Sequence, residues 1–213
     1  MPWASVLLVI GAYLVGSIPS AYLLARWRRG IDPRAVGSGN VGASNLRLTV
    51  GLWAAVTVAI IDIAKGAVPV WLGLRLGLGE PTAYAAGLAA VVGHNWSVWL
   101  SFQGGRGGAT TVGAFLVAFP LAAVWIMVFV LVGGAVHWAA PLHAFAVLTV
   151  PLWSLALGRS PAVLYLALAA IFLMFVKRLE ANVRFATPPG ERAEVWRNRL
   201  LLDRDFRRQA GEK

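Results

Sequence analysis

Two glycine-rich segments hold most of the residues in this chain that could do chemistry. The first, residues 37–45, reads GSGNVGASN, and the second, residues 104–111, reads GGRGGATT; we call them the first and second glycine loops. Glycine is unfavourable inside a helix, whereas irregular backbone exposes N–H groups that can surround an anion. Ser, Asn and Arg side chains accompany these glycines, and Arg suits phosphate because its guanidinium forms two parallel hydrogen bonds. The two loops predict a site for a phosphorylated molecule.

Arg106 is the side chain that most favours phosphate binding. Gly104 and Gly105 precede it, and Gly107 and Gly108 follow it. Because these neighbours have no side chains, backbone N–H groups and the guanidinium can meet the same anion. The alternative is a flexible turn whose Arg obeys the positive-inside rule, but that interpretation leaves the glycines unexplained.

Asp62 and Lys65 lie inside a long apolar run, where an ionisable residue indicates a function. Their spacing of three residues places them on one face of a helix, where they can form an ion pair. Lys65 could bind substrate directly, or the pair could neutralise itself and order the helix. Both alternatives stay open, and in either case we expect this face to point into the bundle.

His94 precedes the second glycine loop, and imidazole titrates near neutral pH, so it is a candidate general base. The alternative is a scaffold residue that holds the loop through hydrogen bonds. His137 and His143 flank a turn that we expect on the outer side, away from both glycine loops. We interpret these two as interfacial residues.

The composition indicates a membrane protein. Of the 213 residues, 59% are hydrophobic and 13% are charged, whereas soluble domains carry about 25% charged residues. Residues 107–158 contain no Asp, Glu, Lys or Arg, a stretch far longer than the ~20 apolar residues of one helical span. We predict an all-α integral membrane protein, a bundle of about seven transmembrane helices, rather than a soluble helical domain.

Seven apolar runs define this bundle, at residues 3–25, 52–78, 82–100, 109–119, 120–137, 141–157 and 161–177. Pro120 either kinks one span or separates two short ones, which leaves six or seven spans. An odd number places both glycine loops and the basic C-terminus in the cytoplasm with the N-terminus outside, which favours seven. The run 109–119 is too short to cross the bilayer as a straight helix, so we expect it to be buried against the others. Residues 1–178 form the membrane domain, and residues 179–213 form a basic cytoplasmic segment of the same functional unit.

The net charge of +10 does not indicate a nucleic acid partner. Residues 177–213 hold ten of the 19 basic residues and residues 26–47 hold five, so the charge flanks apolar runs. Positive-inside topology and contact with anionic lipid explain that placement. The chain has no Cys, no assignable set of metal ligands and no Walker A motif, so we expect neither a metal nor a cofactor.

These residues resemble a known family, the bacterial acyl-phosphate:glycerol-3-phosphate acyltransferases of the PlsY type. The first glycine loop matches the family motif Gly-Ser-Gly-Asn-x-Gly-Ala-Thr-Asn, with Ser44 in place of Thr. Asp62, Lys65 and Gly66 match an Asp-x-x-Lys-Gly element. Residues 93–110 match the second motif, and residues 182–191 correspond to the third.

The resemblance implies transfer of an acyl group from acyl phosphate to the 1-hydroxyl of glycerol 3-phosphate, which yields lysophosphatidate and phosphate. It implies a multi-pass protein of the bacterial inner membrane, with the motifs in the cytoplasm and with the two substrates and membrane lipid as partners. It implies catalytic roles for Ser38, His94 and Asn182. The implied substrate-binding residues are Gly37, Ser38, Gly39, Asn40, Asn45, Arg47, Lys65, Gly104, Gly105, Arg106, Gly107, Arg184 and Glu191.

Several positions depart from the family pattern. Gln103 stands in place of a Lys, Leu179 in place of a His and Phe185 in place of an Arg. Arg184 lies beside the last of these, and Arg47 precedes the position of another family Arg by one residue, which is a rotation of about 100° on a helix. A diverged active enzyme and a non-catalytic lipid-binding paralogue therefore both stay open.

A third alternative is a membrane transporter of a small phosphorylated or acidic solute, for which the ionisable residues inside the apolar run are the support. The sequence leaves open the acyl-chain preference, the oligomeric state and which glycine loop binds which phosphate.

Overall fold

The computed structural model describes residues 2–184, and every regular element in that part of the chain is a helix. The α-helices are α1 (Pro2–Ser17), α2 (Ser20–Arg29), α3 (Ala43–Thr49), α4 (Leu52–Arg75), α5 (Glu80–Asn95), α6 (Gly108–Ala118), α7 (Pro120–Ala135), α8 (Ala139–Ala156) and α9 (Pro161–Arg184). A 3₁₀ turn, Val98–Leu100, lies between α5 and α6. The all-α prediction is confirmed.

Among the described residues, four segments are long and apolar enough to cross a membrane: Trp3–Arg29, Leu52–Arg75, Ala139–Ala156 and Pro161–Glu180. Helices α6 and α7 are apolar but shorter, with 11 and 16 residues. Each of the seven apolar runs contains helix, as predicted. The structure adds α3, a short helix that begins inside the first glycine loop and that the sequence analysis did not predict.

Prolines set two of the breaks between helices. Helix α1 ends at Ser17, and Pro19 precedes α2 with ψ of 74°, so the first run is a bent pair of helices. Phe119 has φ of −153° and ψ of 81°, outside the helical region, and Pro120 opens α7. The alternative with two short helices on either side of Pro120 is therefore confirmed.

Helix α6 is nearly enclosed by its neighbours, since Thr110–Phe115 and Ala118 are buried. Glycines permit this packing. A Cβ added to Gly66 of α4 would overlap the carbonyl oxygen of Thr110, and a Cβ added to Gly113 would overlap that of Ile63. Small residues let membrane helices approach to backbone contact. The expectation that this short run is buried against the others is confirmed.

We call the side of the bundle that carries the two glycine loops the loop side. Helices α1 and α5 begin together on the opposite side, where Thr82 Oγ1 lies 3.4 Å from Ser5 Oγ. On the loop side, Lys177 Nζ of α9 donates to the Asn95 carbonyl at the end of α5, at 2.6 Å. Helix α5 has 16 residues and α4 has 24, which corresponds to lengths of about 24 Å and 36 Å. The second glycine loop, which follows α5, therefore lies within the depth of the bundle.

The turn between α7 and α8 also lies on the loop side. Arg47 Nη1 is 3.9 Å from the position of a Cβ added to Gly134, and His143 Nε2 is 3.5 Å from that of a Cβ added to Gly108. The expectation that His137 and His143 lie away from the glycine loops is wrong for this turn. The physical reason is that α6 and α7 form a hairpin, which returns the chain to the loop side before α8 begins.

Candidate functional site

The first glycine loop is held by one buried side chain, Asn45. Its Oδ1 accepts a hydrogen bond from the backbone N–H of Ser38 at 2.9 Å. Its Nδ2 donates to the carbonyl oxygens of Pro33 at 2.8 Å and of Val36 at 3.1 Å. Asn45 is completely buried, so a single amide ties the loop to the segment that precedes it.

Two glycines let this loop turn back on Asn45. Gly37 and Gly39 have φ of 59° and 70°, in the left-handed region that other residues rarely adopt. A Cβ on Gly37 would also overlap Asn45 Oδ1. Ser38 and Asn40 stay half-buried on the surface of this turn. The side chains of Ser38 and Asn40 therefore lie close to the backbone N–H groups of the first loop, on the same turn.

The second glycine loop is held by main chain. The N–H groups of Gly104 and Gly105 donate to the carbonyl oxygens of Asn95 and His94, at 3.1 Å and 2.9 Å. A Cβ on Gly104 would overlap the His94 carbonyl oxygen, and a Cβ on Gly105 would overlap the His94 ring. Gly107 has φ of 72° and turns the chain into α6. His94 thus braces the loop with both its backbone and its ring, which favours the scaffold alternative over a free general base.

The two glycine loops touch. The carbonyl oxygen of Val41 in the first loop lies 2.6 Å from the position of a Cβ added to Gly105 in the second. The sequence prediction that both loops lie beside each other on one side of the bundle is confirmed.

Two recesses flank the second loop. The first is lined by the break between α1 and α2 and by both loops, with Ser20, Val41, His94, Ser97 and Gly105 among its residues. The second lies between α5, α6, α8 and α9. Arg106, Asn95, Thr111 and His143 line its polar part, and Val147, Ala170 and Met174 line its apolar part.

Unpartnered polar atoms line both recesses. Among the described residues, Ser17 Oγ in the first recess is buried without a hydrogen-bond partner. Asn95 Oδ1 and His143 Nε2 in the second recess are also buried and unpartnered. Each such group costs about 1–3 kcal/mol when it stays unsatisfied. Of the five such atoms among the described residues, these three border the recesses, whereas Thr110 Oγ1 and Ser154 Oγ do not.

The ion pair of α4 lies beside the first recess. Lys65 Nζ lies 2.8 Å from Asp62 Oδ1, and both side chains are buried, as predicted for a face that points into the bundle. Lys65 also donates to the Ile18 carbonyl oxygen at 2.6 Å and to the Ser20 hydroxyl. These partners occupy all three donors of the ammonium group. A direct contact of Lys65 with substrate would therefore displace one of them, which favours the ordering role.

Asp62 also approaches His94, with 3.6 Å between Oδ1 and Nδ1. The Lys65 ammonium and the His94 ring therefore face the same carboxylate. Helix α4 is thereby connected to the break between α1 and α2 and to the residue that holds the second loop.

Cationic residues of α9 converge on the same end of the bundle. Buried Arg178 donates from Nη2 to the Ala140 carbonyl oxygen at 2.9 Å. Lys177 Nζ lies 3.0 Å from Glu180 Oε2, and that carboxylate also accepts from Trp96 Nε1 at 2.8 Å. Arg178 was not predicted from the sequence, and His143 was predicted as an interfacial residue rather than as part of the site. The available signal was that His143 is one of the few polar residues within the uncharged stretch 107–158.

Some predicted residues are not joined to the site. Arg47 is exposed on α3, where its guanidinium approaches Gly134 of α7. The backbone of residues 182 and 184 continues α9, but the side chains of Asn182 and Arg184 lie outside the description. Glu191 and most of the segment 179–213 lie outside the described residues. These assignments stay predictions.

Fold and site together define a helical membrane protein with a polar, cationic site inside its bundle. Residues 6–186 match the family described as glycerol-3-phosphate acyltransferase. The chain is 38% identical over 208 residues to glycerol-3-phosphate acyltransferase 5 of Dehalococcoides mccartyi, an alignment that covers 95% of this chain and 89% of that protein. The chain belongs to the glycerol-3-phosphate acyltransferase family.

Solved structures agree with this assignment. The fold is similar to PlsY (YgiH), an integral membrane glycerol 3-phosphate acyltransferase, in its glycerol 3-phosphate form and in its lysophosphatidic acid form. The TM-scores are 0.76 and 0.74, and the identities are 31% and 30%. Each match covers 85% of this chain and 91% of the PlsY chain. The predicted family, its acyltransferase class and its multi-pass membrane fold are confirmed.

Proposed function

We propose that this protein transfers the acyl group of an acyl phosphate to the 1-hydroxyl of glycerol 3-phosphate. The observation that carries the proposal is the contact between the two glycine loops, with a polar recess on each side of the second loop. Both reactants carry a phosphate group, and the reaction requires them side by side. Two adjacent recesses that share one loop provide this arrangement.

The second recess fits the acyl donor. Its polar part contains Arg106 and its apolar part contains Val147, Ala170 and Met174. An acyl phosphate has the same division, with a charged head and a hydrocarbon chain. The guanidinium pairs with the phosphate head, and the chain lies along α8 and α9 toward the lipid.

The first recess fits glycerol 3-phosphate. Its lining combines three serine hydroxyl groups, the His94 ring and backbone of both loops with the apolar residues Ile18, Pro19, Ala21 and Val41. We assign Ser38 and Asn40 of the first loop to the phosphate and hydroxyl groups of this substrate, together with the neighbouring N–H groups. Asn182 and Arg184 of α9 belong to the same site in this proposal.

The chemistry needs no covalent enzyme intermediate, because an acyl phosphate is already activated. The 1-hydroxyl oxygen attacks the acyl carbonyl carbon, and the bond between that carbon and the phosphate oxygen breaks. The hydroxyl proton passes to an oxygen of the departing phosphate, so the products are lysophosphatidate and inorganic phosphate. The enzyme contributes orientation and charge stabilisation, the latter through Arg106.

We place the reaction at the bacterial inner membrane, with the loop side in the cytoplasm. Basic residues support this orientation, because Arg26, Arg28 and Arg29 end α2 on the loop side and a basic segment follows α9. Clusters of Lys and Arg favour the cytoplasmic face.

The experiment is a turnover assay of the purified protein in lipid. Palmitoyl phosphate and glycerol 3-phosphate are supplied, and lysophosphatidate and released phosphate are measured in equal amounts if the proposal holds. Palmitoyl-CoA replaces palmitoyl phosphate as the control donor. Uptake of glycerol 3-phosphate into vesicles without acylation would instead establish a carrier. If neither acylation nor uptake is detected while lipid co-purifies with the protein, the protein is a non-catalytic lipid-binding paralogue.

A further inference from the structure

We infer that His143 of α8 contacts substrate, and that its Nε2 hydrogen-bonds the phosphate group held by Arg106. The identity of that phosphate as part of an acyl phosphate rests on the proposed function. The geometry of the contact does not. His143 lies outside every motif that carried the family resemblance, which ends at Thr110 and resumes at Asn182.

The first support is the direction of the imidazole. Nε2 lies 3.5 Å from the position of a Cβ added to Gly108, so it faces the first residue of α6. Among the described residues this nitrogen is buried and has no hydrogen-bond partner. His143 and Arg106 line the same recess. A buried ring nitrogen without a partner costs free energy, and a ligand in that recess removes the cost.

The second support is the start of α6. This helix has 11 residues and begins at Gly108, directly after the second glycine loop. The first N–H groups of an α-helix have no partner inside the helix, and that end carries partial positive charge. The guanidinium of Arg106, the N-terminus of α6 and Nε2 of His143 therefore border one space. A phosphate in that space can accept hydrogen bonds from the helix N–H groups and from Nε2 and can pair with the guanidinium.

The third support is that the imidazole is held in place. Ala140 lies one turn before His143 on α8, and its carbonyl oxygen accepts a hydrogen bond from buried Arg178 of α9. This bond fixes the first turn of α8 against α9. The backbone that carries the ring is therefore fixed by the fold, whereas Nε2 has no hydrogen-bond partner among the described residues.

Two polar substitutions test which atom matters. His143→Gln places an amide near the position of Nε2, whereas His143→Asn ends near the position of Nδ1. We expect His143→Gln to keep the KM for palmitoyl phosphate within about threefold. We expect His143→Asn to raise that KM, and the inhibition constant of inorganic phosphate, about 10- to 100-fold, as for the loss of a hydrogen bond to a charged group.

The control is Thr149→Val on the same helix. Thr149 Oγ1 accepts from Trp125 Nε1 at 3.0 Å, and it does not line the recess. This variant removes a polar contact between helices, so its KM stays unchanged if the effect at position 143 is specific. Equal behaviour of the Gln and Asn variants, whether both keep or both lose activity, would overturn the inference while the proposed function stands.

A measurement on the unaltered chain avoids dependence on the folding of variants. The chain contains three His, so ¹⁵N-labelled imidazoles give few resonances, and the one absent in His143→Gln belongs to His143. We expect its Nε2 resonance to shift saturably as inorganic phosphate is added, and an unmoved resonance would overturn the inference. If the wild-type chain binds phosphate in this way but does not acylate glycerol 3-phosphate, the proposed function fails and the contact stands.

Discussion

The two glycine loops meet at one site, yet the protein holds them in different ways. The first loop depends on the side chain of Asn45, which makes three hydrogen bonds to main-chain groups. The second depends on its own N–H groups, which bind the last carbonyl oxygens of α5. The first loop is fixed by the side-chain amide of Asn45. The second loop is fixed because Gly104 and Gly105, which have no side chains, can approach the end of α5 closely.

This difference predicts opposite sensitivities. A side-chain clamp is broken when atoms are removed from it, while the loop sequence itself stays intact. A close main-chain pairing is broken when atoms are added. The first loop should therefore respond to truncation of Asn45, and the second to the addition of one methyl group at Gly104 or Gly105.

Gly105→Ala should have the largest effect. The added methyl group would overlap the His94 ring and lie 2.6 Å from the Val41 carbonyl oxygen, so the two loops must separate. Displacement of catalytic groups by about 1 Å costs on the order of 100-fold in rate. We expect turnover to fall by at least this factor in the palmitoyl phosphate assay, while the thermal unfolding temperature changes little.

Gly11→Ala is the matched control. Gly11 lies in α1, and no atom lies within 4 Å of a Cβ added there. Ala is also preferred to Gly inside a helix by up to about 1 kcal/mol. This variant should keep full turnover. If both Ala variants turned over equally, the main-chain account of the second loop would be wrong.

Arg106→Ala should have the next largest effect, because it removes the guanidinium that we propose as a phosphate ligand. We expect the KM of a phosphorylated substrate to rise about 10- to 100-fold, as for the loss of charge-assisted hydrogen bonds. Arg106→Lys keeps the charge without the paired hydrogen bonds, so its KM should lie between those of the wild type and Arg106→Ala. Steady-state kinetics with each substrate varied in turn would measure the change. Unchanged values would remove Arg106 from the site.

Asn45→Ala tests the clamp of the first loop. The variant loses three hydrogen bonds and leaves the carbonyl oxygens of Pro33 and Val36 without that partner. We expect a loss of about 2–4 kcal/mol in the free energy of unfolding and a fall in turnover of about tenfold. Asn40→Ala is the control for stability, since within residues 2–184 the side chain of Asn40 makes one exposed hydrogen bond, at 3.5 Å to Ser44. Equal stability of the two variants would contradict a clamp at Asn45.

Local sequence signals predicted much of this architecture. The uncharged stretch 107–158 and the other apolar runs predicted the helices, and Pro120 marked the break between α6 and α7. The spacing of Asp62 and Lys65 predicted their ion pair. In each of these cases the cause lies within a few residues, so the pattern is visible in the sequence alone.

The features that were not predicted depend on contacts between distant parts of the chain. His143 enters the second recess because α6 and α7 form a hairpin, and no local pattern around residue 143 records that turn. Arg178 holds the start of α8 through its bond to Ala140, which is 38 residues earlier in the chain. The family resemblance implied that Asn45 orders the first loop and contacts substrate; its side chain bonds Ser38 in the loop and Pro33 and Val36 before it, and the contact with substrate stays a prediction.

The smallest expected effect is a loss of stability at low pH, and it concerns the segment just before the first glycine loop. Asp32 lies just before that loop, and its carboxylate pairs with the Arg34 guanidinium at 2.7 Å. The hydrogen bond from Arg34 holds the pKa of Asp32 below its usual value. A lowered folded pKa gives stability above the unfolded pKa of about 3.9, which is lost as the pH falls through the folded value. Both side chains are about one-third exposed, so we expect less than about 1 kcal/mol.

Asp32→Asn isolates this contribution, because Asn keeps an oxygen that can accept the Arg34 N–H at 2.9 Å and loses the charge. The variant should unfold at a slightly lower temperature than the wild type near neutral pH. The difference should shrink as the pH falls below the unfolded pKa of about 3.9 and vanish once the pH reaches the lowered folded pKa of Asp32. A difference between Asp32→Asn and wild type that stayed constant with pH would show that the ion pair does not support the first loop.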